Sequence, residues 1–124
     1  MRNLTEAYPD EELLGICWIL YGLGVNVSCN GFYHTAYAVW LAKQEPERLR
    51  LVTKWLYPDV AKSCDTTWNA VEANIRRAIV QIWRNNPAAI QKLDADGAIR
   101  RPTPTEFLAM IVARVLVDEN ASQA

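Results

Sequence analysis

The residues with the types and spacing to do chemistry lie in KSCDTTWNAVEANIRR, between Lys62 and Arg77. Arg76 and Arg77 are charge-assisted donors that pair with guanine or a phosphate, and Asn69 carries an amide able to read adenine. Glu72 accepts from cytosine or restrains a neighbouring arginine. Lys62, on the preceding segment, is of the type that can hold a phosphate. With Thr66 and Thr67 at the start of the same segment, and Ala70 and Ala73 among the outward positions, these residues form a candidate DNA-binding set. The chemistry is recognition. There is no nucleophile–base pair, no paired carboxylate and no phosphate loop, and Glu106, His34 and Cys64 have no partners fixed by spacing. We therefore expect no catalytic residue, no metal ligand and no cofactor.

Two helices and a turn must position that set. Val60 and Ala61 point inward from a short helix, Pro58 to Cys64, and a small residue at 61 lets the next helix cross close above it. Asp65 sits at the turn, because Asp tolerates the left-handed conformation better than most non-glycine residues. Thr66 or Thr67 caps the second helix through its side-chain oxygen. That helix runs to about Arg84 and packs through Val71, Ile75, Ala78, Ile79 and Ile82, spaced three or four apart. The opposite side holds Asn69, Ala73, Arg76, Arg77 and Val80, with Ala70 beside them and Glu72 and Trp83 on the flank. This is helix-turn-helix spacing, in which the second helix lies in the major groove. By itself such spacing also fits two amphipathic helices of an ordinary bundle with a solvated arginine face.

The rest of the chain reads as helix too, because its β-branched residues fall at helical rather than alternating spacing. Helix one is expected from about Asp10 to Leu23, opened by Pro9 and Asp10, with Leu13, Leu14, Cys17, Ile19, Leu20 and Leu23 apolar and Gly22 and Gly24 closing it. Helix two is expected from about Gly31 to Lys43, with Tyr33, Tyr37, Trp40 and Leu41 inward. Helix three runs from Pro46 and stops at Tyr57, since Pro58 disfavours helix in the residue before it. A short helix covers Ala88 to Leu93, and a loop with Gly97 covers Asp94 to Pro104. Thr105 caps a last helix that ends near Val117, with Phe107, Met110, Ile111 and Leu116 for packing. The expected architecture is all-α: a single domain over residues 1–124, a compact bundle of about six helices without a wing, its ends at 1–9 and 119–124 flexible.

Composition agrees with that picture. The 124 residues are 51% apolar and 22% charged, with five Trp and five Tyr, enough to bury a core without staples. The three cysteines, Cys17, Cys29 and Cys64, form no CxxC pair and read as reduced apolar fillers in a cytoplasmic protein. His34 reads as a packed or surface histidine. No signal peptide is visible, and the apolar run from Leu13 to Val27, broken by Gly15, Gly22 and Gly24, is too short to span a bilayer. The net charge is −1, but residues 1–42 hold one Arg against four acids, residues 43–101 hold eleven bases against seven acids, and residues 102–124 hold one Arg against three acids. Only the middle has the sign of a nucleic-acid face, and its modest excess predicts salt-sensitive binding.

Several blocks in order carry a family resemblance. LYPDVAK (56–62), Thr66-Thr67, Val71-Glu72, Ile75-Arg76, Ala78-Ile79 and Trp83 resemble the helix-turn-helix of the stage 0 sporulation response regulator family, in its C-terminal DNA-binding effector domain. Leu23-Gly24-Val25, Gly31-Phe32, Thr53-Lys54, Pro104, Glu106-Phe107 and Ala109-Met110 extend the likeness over roughly residues 13–118. The resemblance implies a six-helix effector domain that binds double-stranded DNA and pairs, as a homodimer or heterodimer, partly through the last helix, Thr105 to Val117. Family members carry a phosphorylated receiver domain ahead of this one. Nothing before Leu13 reads as a receiver, so control by phosphorylation within this chain is not expected.

The departures matter most. Where the family has DNA-contacting arginines, this sequence has Ala70 and Ala73; Asn69 replaces a serine and Arg77 a histidine, while Glu72 and Arg76 match. Losing two bidentate contacts, each worth roughly 1–3 kcal/mol of discrimination, changes the target. The expectation is a sequence-specific DNA-binding regulator of altered specificity. The alternative is a protein-interaction module that pairs with a full-length family regulator without strong DNA binding of its own.

Overall fold

The computed structural model describes residues 11–94 and 100–123. Six α-helices appear among them: α1 (Glu11–Leu23), α2 (Asn30–Gln44), α3 (Tyr57–Ser63), α4 (Trp68–Asn85), α5 (Pro87–Leu93) and α6 (Pro104–Gln123). No strand occurs among the described residues, so no wing flanks the helix-turn-helix. The expected start of helix one at Pro9 and Asp10, and Gly97 in the loop, lie outside the described residues.

The centre of the bundle is α2, which packs against α1, α3, α4 and α6. Its burial corrects the sequence reading. Tyr33 is exposed, and Tyr37, Trp40 and Leu41 are only half-buried, whereas Phe32, His34, Thr35, Ala36, Ala38, Val39 and Ala42 are buried. A helix with neighbours on most sides has no single apolar stripe, and small side chains such as Ala36 and Ala38 let those neighbours approach. Periodicity singled out the large aromatics; packing favoured the small residues. Ahead of α2, the Sγ of Cys29 accepts from the Gly31 N–H at 3.3 Å, so this cysteine caps the helix.

Segment 46–63 also departs from expectation. Instead of one helix ending at Tyr57, a 3₁₀ turn (Pro46–Arg50) leads through Leu51 into a π turn (Val52–Leu56) that continues directly into α3. The N–H groups of Leu56 and Tyr57 reach back to the carbonyls of Leu51 and Val52, and Tyr57 is helical. Pro58 brings no N–H to satisfy, and it stands in the first turn of α3, directly after the π turn, where a proline is tolerated. The proline is accommodated rather than terminating the helix.

The helix ends are set locally. After α1, Gly24 at φ +98° lets Val25 donate to the Leu20 carbonyl, closing that helix in a Schellman turn. The cap of α6 is Thr103, not Thr105: the Thr103 hydroxyl accepts from the Glu106 N–H at 3.2 Å, and Glu106 Oε1 accepts from the Thr103 N–H at 2.9 Å. Thr103-Pro104-Thr105-Glu106 is thus a capping box with proline at the first helical position. The helix runs to Gln123, past its expected end near Val117. Phe107, Leu108, Ile111, Val112 and Val115 are buried, while Leu116, expected to pack, is exposed.

Candidate nucleic-acid interface

The site is built on α3, a turn and α4. Within α3, Val60 and Ala61 are buried, and Lys62 is exposed in its last turn. Asp65 adopts φ 53°, the left-handed position foreseen for the turn. Thr66 then donates its N–H to the Ala61 carbonyl at 2.9 Å, so Asp65 takes the place in a Schellman turn usually held by glycine. Thr67 is the cap of α4: its hydroxyl accepts from the Ala70 N–H at 3.2 Å. Thr66 is exposed beside it.

The inward residues of α4 are those its spacing indicates. Val71, Ile75, Ala78, Ile79 and Ile82 are buried, which fixes the rotation of the helix. Outward, Asn69, Arg76 and Arg77 are exposed, and Ala70, Glu72 and Ala73 are half-buried. Asn69, Glu72, Ala73, Arg76 and Arg77 together line one shallow open depression of about 390 Å³. Lys62, Thr66, Thr67 and Ala70 do not line it; they sit at the entry to the helix.

Two arginines are held in different ways. Arg76 Nη2 donates to Glu72 Oε1 at 2.9 Å, an exposed ion pair one turn apart. Arg77 Nη1 donates to Asn74 Oδ1 at 2.9 Å, a neutral partner. Glu72 is the one acid between Trp68 and Asn85, so three arginines on this helix face a single carboxylate. Beneath them Tyr57 is buried, and its hydroxyl is pushed up to about 12 by burial and by the Glu72 charge, against the opposing effect of Arg76. It stays protonated across the physiological range.

Three contributors escaped the sequence reading. Arg84 continues the outward face, and with Arg76, Arg77, Val80, Gln81 and Asn85 it lines a second open depression of about 490 Å³. The signal was present, since Arg84 lies seven residues after Arg77, or two helical turns. Asn74, half-buried between the two faces, had no such signal. His34 is buried on α2, with Nδ1 3.3 Å from Asn74 Nδ2; only the tertiary crossing brings them together.

Among the described residues no group of three or more His, Cys, Asp or Glu side chains is placed to hold a metal ion. Cys17, Cys29 and Cys64 form no disulfide. No helix of the described residues is long and apolar enough to cross a membrane. Compared with known protein families, the chain matches Sporulation initiation factor Spo0A C terminal over residues 16–115.

Proposed function

The chain belongs to the Spo0A C-terminal family of DNA-binding effector domains of sporulation transcription regulators, and on that premise we propose that it reads double-stranded DNA in the major groove with an altered sequence preference. The reading residues are Asn69, Glu72, Arg76 and Arg77 on α4, with Arg84 further along. Lys62, Thr66 and Thr67 meet phosphates at the helix entry, and Ala70 and Ala73 leave room where the family has arginines. The observation that carries this reading is the outward face of α4, where Arg76, Arg77 and Arg84 are exposed opposite five buried apolar residues. An acidic or apolar face there would have favoured a protein partner instead.

The electrostatics set the expected strength. An arginine that reaches one phosphate releases counterions and steepens the salt slope by about 0.9 in log–log terms. Glu72 partly offsets Arg76, so Arg77 and Arg84 dominate. Pairing of two copies, or with another regulator of the family, through α6 accompanies this reading. The exposed Leu116 and Val117 on that helix support such pairing.

The test is selection of bound duplexes from a randomised pool at low salt, followed by titration of the winner. An enriched motif, lost on Arg76→Ala with Arg77→Ala, is the expected result. A pool that emerges unenriched, or a double variant that binds as before, defeats the proposal.

A further inference from the structure

The two arginines at the centre of the reading face differ in what holds them, and the difference reaches into the core. A guanidinium has donors only, so the Asn74 atom that meets Arg77 at 2.9 Å is the carbonyl oxygen. The amide nitrogen therefore faces His34 Nδ1, 3.3 Å away. That nitrogen has hydrogens and no lone pair to offer, so His34 Nδ1 must be an acceptor. His34 is then neutral, with its proton on Nε2. Burial acts in the same direction, lowering the affinity of His34 for a second proton.

We propose that Asn74 is the positioning residue for Arg77, fixed in its amide orientation by the neutral imidazole of His34, so that a buried histidine sets the pose of a DNA-reading arginine. The proposal rests on the DNA-binding reading and sharpens it. Three features support it. The crossing that brings the groups together is specified by Gly31, one turn before His34, which lies against the Asn74 backbone carbonyl. The amide holds Arg77 without cancelling its charge, whereas Glu72 holds Arg76 and neutralises part of it. Only one of the five guanidinium donors is used, leaving a fork free to meet a base edge or phosphate. Restricting a long side chain in advance lowers the ordering cost of binding.

A double-mutant cycle on a duplex recovered from the randomised pool tests this, read by fluorescence anisotropy. Asn74→Ala should weaken binding about 3- to 10-fold in the unaltered background, the loss of one ordered side chain. In an Arg77→Ala background it should change binding by less than about 2-fold, since Asn74 acts through Arg77. A merely structural Asn74 would give equal losses in both backgrounds, and that result overturns the proposal. His34→Gln, which keeps an acceptor, should bind better than His34→Leu; equal weakening also counts against it. Independently of DNA, the ¹⁵N shifts of His34 at neutral pH should report an unprotonated Nδ1, and a proton on Nδ1 overturns the linkage even if every variant folds poorly. Failure of the unaltered protein to bind any duplex removes the DNA reading itself, while the ¹⁵N spectrum still decides whether the relay exists.

Discussion

Gly31 and the backbone carbonyl of Asn74 are in contact: a Cβ at Gly31 would lie 2.6 Å from that oxygen. Two opposing effects follow for Gly31→Ala. Alanine in a helix is favoured over glycine by about 1 kcal/mol. The clash, however, is with backbone, which cannot rotate away, and overpacking of this kind costs about 1–3 kcal/mol or more. The clash wins. Gly31→Ala is expected to lower the urea midpoint with an unchanged m-value, and to weaken DNA binding by tilting α4. A variant as stable as the parent would show that α2 and α4 can shift apart at this crossing.

Restoring the missing arginines makes a second prediction. Ala73 lines the shallow depression with Asn69, Glu72, Arg76 and Arg77, and Ala70 stands half-buried one turn earlier. Ala73 therefore opens directly onto that depression. Ala70→Arg with Ala73→Arg should tighten binding to duplexes carrying the family's sites by on the order of 10²-fold, using about 1.4 kcal/mol per tenfold. The salt slope should steepen by about 0.9 for each new phosphate contact. Titration at several salt concentrations separates the two effects, and an unchanged slope would place the new side chains off the DNA.

How far the sequence reached can be judged from α4 and α2. Every buried residue assigned to α4 is buried, and Asp65 is left-handed, because both features are encoded locally by spacing and by turn chemistry. The face of α2 was misread, since Tyr33 and Trp40 are large but the centre of a bundle favours Ala36 and Ala38, a preference set by neighbours distant in sequence. The π turn before Pro58 went unseen for a related reason: a proline rule describes one residue and its predecessor, not a change of helical winding. Within the site, Arg84 was legible from its spacing. The His34–Asn74 contact was not, because it joins residues forty positions apart.

Acid should lower the stability of the domain in two distinguishable pH ranges. His34 is buried neutral, its pKa lowered below the ordinary 6.5 by burial. Below pH 6.5 the unfolded chain takes up a proton that the folded one resists, so the His34 contribution is present above that pH and is lost as pH falls through the folded value. Glu106 is held at about 2 instead of 4.5, by the Arg100 guanidinium first and then by the Thr103 N–H and hydroxyl. Its contribution is present above pH 4.5 and is lost between there and about 2. His34→Gln should flatten the upper part of the stability–pH curve, and Glu106→Gln the lower part. Denaturation midpoints measured across this range check both, and coincident changes would contradict the assignment.

Lys43 ties three helices together, and its removal gives the last prediction. From α2 its Nζ reaches Glu12 on α1 and Glu119 on α6, with the lysine side chain only 14% exposed. Burial alone would lower its pKa, but hydrogen bonds to Glu119 and Glu12 and the charges of both carboxylates outweigh it, and the net shift is upward. Breaking a fully buried pair costs about 3–5 kcal/mol, and a surface pair is worth roughly 0–1 kcal/mol. The two carboxylates here are 29% and 39% exposed, so Lys43→Met should fall between those limits, at about 1–3 kcal/mol. The methionine keeps most of the stem, so the loss comes from removing the cation that Glu12 and Glu119 share. Adding Glu12→Gln and Glu119→Gln to Lys43→Met should therefore recover part of the stability in urea denaturation. If the triple variant is no more stable than Lys43→Met alone, the lysine acts through its packing rather than its charge.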